Sequence, residues 1–311
     1  MRRYVLKRVA QTVLTAWMTV TAVFILLRMA PGDPAVNYAP PNPSSEQLDA
    51  IRKQFGLDQP ILQQYFGYLG QLARGDLGES FQFRKGALSV VLDRLPYTIT
   101  LAVVAIVVTG LIAIPLGVWM ARRRDTAPEL GANMATIAGQ SMPDFWIGFV
   151  LLIVFAVNLG WFAPAGFTSM SSIVLPCATI VILQVALISR LVRREMVANL
   201  NAPYLTVARS RGVSERRLTW RYAFANSSIP VVTALGTRFA AMLNGVVIVE
   251  VVFKWPGVGE LVVDALDRRD FPLIQATVLV TVVLALVVQL LVDLLYPFMD
   301  PRVRLGQEAR S

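Results

Sequence analysis

Long apolar runs recur along the chain, and their lengths carry the first prediction. A helix rises about 1.5 Å per residue, so crossing roughly 30 Å of hydrocarbon takes about 20 apolar residues. Six stretches meet that requirement, approximately 9–29, 95–121, 134–157, 173–192, 229–253 and 271–298. The pattern predicts an all-α membrane protein with six transmembrane helices. The chain starts MRRYVLKR, as a secretory leader would. The apolar run that follows is too long for a leader and lacks a small-residue cleavage site, so a retained span is expected. This divides the chain into a tail plus first span (1–30), an external loop (31–94), a five-helix core (95–298) containing a loop at 193–228, and a tail (299–311).

The first loop carries its own helix signals. Ser44 and Ser45 can cap a helix stopping at Gly56, and Pro60 can open another ending near Gly75. A small helical layer over the outer face is expected, whether as gate, docking surface or plain folded plug.

Charge sets the orientation. The N-terminus, loop 122–133, the segment from Arg190 to residue 228 and the C-terminus together hold 18 Lys/Arg against 6 Asp/Glu, while the opposite side, with Arg28 at the end of the first span counted, holds 10 against 11. Basic residues concentrate in short cytoplasmic loops, so both termini are expected in the cytoplasm. Overall, 55% of the 311 residues are hydrophobic and 16% charged, against about 25% charged in soluble domains.

Composition also excludes chemistry. With no histidine and one cysteine, the chain has neither imidazole catalysis, nor His-ligated metal, nor an internal disulfide. Cys177 lies in an apolar run and reads as a small buried side chain. None of the lysines at 7, 53, 85 and 254 follows a Gly-x-x-x-x-Gly pattern, so there is no P-loop.

Several polar residues interrupt the spans: Gln140, Asp144, Gln184, Arg238, Asn244, Glu250, Gln289 and Asp293. A charge at the bilayer centre costs several kcal/mol, so such groups face a partner or a wet cavity. Arg238 and Asp144 lie deepest; they either pair or line a polar pathway together with Gln140, Gln184 and Asn244. Glu250 and Asp293, nearer span ends, read as structural. Pro115, Pro143 and Pro176 suggest kinked helices around an opening.

The most informative interruption is 204–230, YLTVARSRGVSERRLTWRYAFANSSIP. It reads as two short helices. The first runs from Pro203 to Arg211 and stops at Gly212, which suits a left-handed cap. Ser214 can cap the second, with Glu215 in its first turn. There Leu218, Tyr222 and Ala225 recur at i, i+4 and i+7, flanked by Trp220 and Phe224, and the other face carries Arg216, Arg217 and Arg221. Pro230 is expected to open the next span. Contact with anionic lipid explains the charge but not the caps or the aromatic residues. Nucleic-acid binding is disfavoured because the segment is tethered between two spans. An amphipathic helix laid into a groove on a soluble partner predicts both the apolar anchors and the basic rim.

The segment resembles the cytoplasmic coupling loop of ABC-transporter permeases in its peptide-permease form. Tyr204, Ala208, Arg209 and Gly212 match, followed by Ser214-Glu215-Arg216-Arg217, Asn226 and Ile229-Pro230, while Thr206 and Val207 replace the family's Glu and Ala. The resemblance to the DppB/OppB family extends to LRMAPGDPA (27–35), FGLDQPILQQY (55–65), RGDLGESF (74–81), IPLGV (114–118), SMPDFWIG (141–148) and LGWFAPAG (159–166). It continues through VFKWPGVGELVVDAL (252–266), RDFPLIQ (269–275) and LVDLLYPFMDPRVR (291–304).

That resemblance implies the type I ABC importer permease fold in a bacterial cytoplasmic (inner) membrane. It implies a peptide-import subunit without a cofactor of its own. Its implied partners are a homologous second permease, two ATPase domains, separate or fused, that bind ATP and Mg, and an extracytoplasmic peptide-binding protein. Closure of the ATPases would push the helix at 215–225 and tilt the fourth and fifth spans, turning access from inside to outside. A nickel-chelate or other small-solute permease is the nearest alternative. An intramembrane enzyme would have only Asp144 and Asp293 as a candidate pair.

Overall fold

The computed structural model describes residues 2–29, 35–36, 42–54 and 58–299, and among these every named element is a helix. Helix α1 (Arg2–Met29) opens the chain, followed by α2 (Ser45–Gln54) and α3 (Ile61–Ala73) in the first loop. Ser44 caps α2 as expected: its Oγ accepts from the Gln47 N–H (3.2 Å) while Gln47 Oε1 accepts from the Ser44 N–H (3.0 Å). Pro60 precedes α3, and Gly75 beyond its end has φ +77°. The expected stop at Gly56 lies outside the described residues, as do parts of the motifs at 27–35, 55–65 and 291–304. Phe24, 2% exposed, holds α3 against α1 through Tyr65 and Tyr68, at ring-centroid distances of 5.3 and 5.7 Å.

The core begins with α4 (Ala87–Arg122), a helix of 36 residues that starts well before the apolar run and passes through Pro96 and Pro115. Next come α5 (Ala127–Gln140) and α6 (Asp144–Leu151), the latter continued by a π turn, Leu152–Asn158. The chain bends by 100° between α5 and α6. Of the three prolines expected to kink spans, Pro143 alone sits at such a break; Pro176 falls in the first turn of α7 (Val174–Leu200), where its missing N–H costs nothing.

A short helix α8 (Pro203–Ser210) follows, then α9 (Glu215–Arg217), a π turn (Leu218–Ala223) and α10 (Phe224–Gly245). The chain ends in α11 (Val247–Val252), α12 (Val258–Asp267) and α13 (Phe271–Met299).

Among the described residues, four helices are long and apolar enough to cross a membrane, and five if the bent pair α5–α6 is one span. The fifth predicted stretch, 229–253, does not pass. Ser227, Ser228, Thr233 and Arg238 dilute the apolar content of α10, and the helix breaks at Val246.

Three buried clusters hold the bundle. The central one joins Leu101 and Ala105 of α4 to Ile180 and Val181 of α7 and to Trp255. An outer one joins Leu77 and Val91 to Leu261 and Leu273. The third joins Ala121, Val192, Met196, Leu205, Leu218 and Ala223, and lies beneath the basic loop. Cys177 is buried, as its apolar setting suggested.

Candidate functional site

The basic loop is built from its caps inward. Pro203 opens α8, and Gly212 closes it at φ +78°. The Gly212 N–H donates to Arg209 O (3.0 Å) and the Val213 N–H to Ala208 O (3.3 Å), the paired bonds of a Schellman motif. Val213 and Ala208 both pack against the third buried cluster. Arg209 Nε then donates to Glu215 Oε1 at 2.8 Å, bridging the turn. That bond holds the Glu215 carboxyl below its usual range, helped by the charges of Arg209 and Arg122, while slight desolvation opposes the shift.

The second helix differs from expectation in three ways. Ser214 occupies the N-cap position, but its hydroxyl makes no capping bond; its carbonyl accepts from the Leu218 N–H (2.9 Å). Pro230 does not open a span. It lies inside α10, and helical structure runs unbroken from Glu215 to Gly245 through the π turn. Leu218, expected as an anchor on a partner, is 0% exposed in the chain's own core. The π turn rotates the helical register there, and Leu218 and Ala223 face inward with Leu205. Tyr222 and Ala225 remain outside, and Trp220 meets Phe224 edge to face at a ring-centroid distance of 5.5 Å.

The exposed face of the loop includes Tyr204, Val207, Arg209, Arg211, Ser214, Glu215, Arg216, Arg217, Trp220, Arg221 and Tyr222, with Ala208 half-buried. A polar clasp fixes it to the bundle. The Tyr204 hydroxyl donates to Asn199 Oδ1 (3.2 Å) and accepts from Asn226 Nδ2 (3.0 Å), and Asn199 Nδ2 donates to Ser227 Oγ (3.0 Å). Asn199 and Ser227 carry no sequence signal of their own; only the spatial meeting of α7 and α10 reveals them.

Among the described residues, no hydrogen bond or ion pair joins the candidate pathway side chains to one another. Gln140 is exposed at the end of α5, and Asp144 is half-buried at the start of α6 across the bend. Gln184 is half-buried on α7, its Oε1 buried without a hydrogen-bond partner. Arg238 is exposed on α10 beside exposed Thr237 and Ala241, on a different face from Gly236, which packs on Val292 of α13. Arg238 and Asp144 do not pair within the chain; the Asn244 side chain lies outside the described residues.

Asp293 takes Arg8 of α1 at 3.4 Å and accepts from Gln289 Nε2 at 3.2 Å, which ties it into helix packing. Glu250 is fully buried at the N-terminus of α12, as a structural role requires. It accepts from the Gly259 N–H (2.6 Å) and from the Thr98 hydroxyl (2.7 Å), which itself accepts from the Val258 N–H (2.8 Å). A side chain at Gly257 would overlap the Glu250 carboxylate, so that position must be bare. The same carboxylate lines a cavity of about 270 Å³ with Thr98, Thr277 and Thr281.

The end of α12 and the start of α13 are locked to the first loop. Asp270 Oδ2 accepts from the Ser80 hydroxyl (2.5 Å) and the Gln82 N–H (3.1 Å), and Gln82 Nε2 donates to Asp264 (2.7 Å).

Comparison with known proteins matches this architecture. Residues 113–305 match the family described as binding-protein-dependent transport system inner membrane component, and residues 1–102 match the N-terminal domain of such membrane components. A peptide transport system permease protein of Brucella abortus (strain 2308) is 36% identical over 98% of this chain and 99% of its own length. The glutathione transport system permease protein GsiC of Escherichia coli (strain K12) is 34% identical, with the same coverage of 98% and 99%. Among solved structures, a chain of the inward-facing MetNI methionine ABC transporter superposes with TM-score 0.55 at 14% identity, over 68% of this chain and 96% of that one. A chain of an amino acid ABC transporter crystallised with histidines gives TM-score 0.52 at 17% identity, over 67% and 93%. The helical order, the capped basic loop and these end-to-end matches place the chain in the family of binding-protein-dependent transport system inner membrane components, the permease subunits of ABC transporters.

Proposed function

We propose that this chain is one of two permease subunits of a bacterial inner-membrane importer for short peptides, with dipeptides, oligopeptides and glutathione-like tripeptides as the substrate class. Full-length relatives named for peptide and glutathione transport support that class. Six spans with both termini in the cytoplasm complete the topology, α10 being the fifth. A homologous permease supplies the other wall of the pathway, so Arg238, Asp144, Gln140, Gln184 and Asn244 meet their counterparts across that interface. ATP and Mg bind in two partner ATPase domains, and an extracytoplasmic peptide-binding protein delivers the substrate.

The observation that carries the reading is the unbroken helix from Glu215 to Gly245. Its first turns belong to the basic loop and its last to the polar face of α10, so a push on the loop moves the pathway wall directly. Tyr204, Val207 and the exposed arginines form the surface that meets the ATPase, while Leu205 and Leu218 anchor that surface to the bundle. The experiment is co-purification of the chain with its ATPase partners, followed by ATP hydrolysis with defined peptides. Stimulation by short peptides is expected; stimulation only by chelated metal would replace the peptide reading.

A further inference from the structure

One ion pair with a buried carboxylate lies outside everything assigned above. Glu129, in the first turn of α5, is 1% exposed, and Arg193 Nε of α7, on a half-buried side chain, stands 2.7 Å from its Oε1. The contact is one of charge with charge, and neither atom has a hydrogen-bond partner. Among the described residues, no other side-chain hydrogen bond or ion pair joins α5 to another element. The C-terminal end of α5 rests on α7 through ordinary contact: a Cβ added at Gly139 would stand 3.8 Å from Ile182.

The position on α7 matters. Val192 and Met196, both 0% exposed, pack into the cluster that contains Leu205 and Leu218 of the basic loop. Successive helical residues differ by about 100° in direction, so Arg193 points away from that cluster toward α5. One turn of α7 is thus clamped between the loop's anchors and Glu129. At its other end α5 leads into the 100° bend at 141–143, which Gln140 and Asp144 flank.

We propose that the Glu129–Arg193 pair is the joint through which movement of the basic loop reaches α5 and the bend in the candidate pathway. The proposal rests on the coupling reading given above. An apolar helix contact can slide, whereas this pair cannot separate without stranding the buried Glu129 carboxylate. At this level α5 must therefore follow α7. Both residues act as positioning residues, in contact with neither ATP nor substrate.

The test uses the assembled transporter in proteoliposomes, with spin labels at M134C on α5 and V157C after α6, sites 69% and 63% exposed. The parent is expected to show an ATP-dependent change in label separation. In E129Q and R193Q that change disappears, and substrate moved per ATP falls by roughly tenfold or more, within the usual range of one allosteric coupling. The exchange variant E129R/R193E recovers both in part. Two results overturn the proposal: single variants that keep the parent's change and stoichiometry, or an exchange variant no better than either single variant with all levels of assembled complex equal. Crosslinking from V207C to the ATPase in the parent separates the two readings. Its presence with an unaffected E129Q removes only the joint, and its absence removes the coupling reading and the joint together.

Discussion

Replacing Gly212 with valine tests the loop at the position where local geometry is most demanding. The residue sits at φ +78° and donates one of the two hydrogen bonds that close α8. No atom lies within 4 Å of an added Cβ, so no neighbour is struck and the whole cost is backbone strain. An L-residue in the left-handed region costs about 1–2 kcal/mol, more for a β-branched one, and asparagine tolerates it best. A penalty of about 1–2 kcal/mol changes the ratio of capped to frayed loop by about 5- to 30-fold. Substrate transported per ATP should fall within that range for Gly212→Val, less for Gly212→Ala and least for Gly212→Asn. Membrane insertion should not change, because α8 lies outside the apolar spans. The assay is peptide uptake and ATP hydrolysis measured side by side in proteoliposomes. Normal uptake per ATP in Gly212→Val, or asparagine as harmful as valine, would refute the argument.

Three further expectations follow from buried or paired groups. Leu205→Ala removes a fully buried side chain beneath the loop and should cost about 2–5 kcal/mol, seen as a lower thermal midpoint of the purified complex; an unchanged midpoint would place Leu205 outside the core. Asp270→Ala leaves the Ser80 hydroxyl and the Gln82 N–H without their acceptor, at about 1–3 kcal/mol each, and should make the segment 76–86 sensitive to protease added from outside. The Arg209–Glu215 pair sets a pH expectation. The carboxyl is lowered chiefly by the Arg209 hydrogen bond, so the pair's contribution is present above the unfolded carboxylate value of about 4.3 and is lost as pH falls through the lower folded value. Coupling should therefore show no Glu215-dependent change from about pH 6 to 8. A carboxyl chemical-shift titration of Glu215 at or above the ordinary range would contradict the pairing.

What could be read along the chain was local. The cap at Ser44, the start at Pro60, the stop at Gly75 and the turn at Gly212 each depend on residues within a few positions, and each stands as expected. Glu250 could be placed as structural because a lone carboxylate in an apolar run needs partners, but those partners could not be named. Thr98 and the α12 amides come from distant parts of the chain. Glu129 falls in the polar loop expected at 122–133, and nothing near it in sequence points to Arg193. Leu218 was assigned to the wrong side because a 3.6-residue period does not anticipate a π turn. The stretch 229–253 read as one span because hydropathy continues across Val246, where the helix itself stops.

The sequence by itself determined the helical class, the clustering of basic charge, the capped loop and the family, because each rests on run length, local backbone preference or ordered motifs. Only the tertiary structure decided which helix face is inside, where a span bends, and that the basic loop continues without a break into α10. Those outcomes depend on which distant side chain meets a buried charge or fills a groove, and one-dimensional hydropathy contains no such pairing.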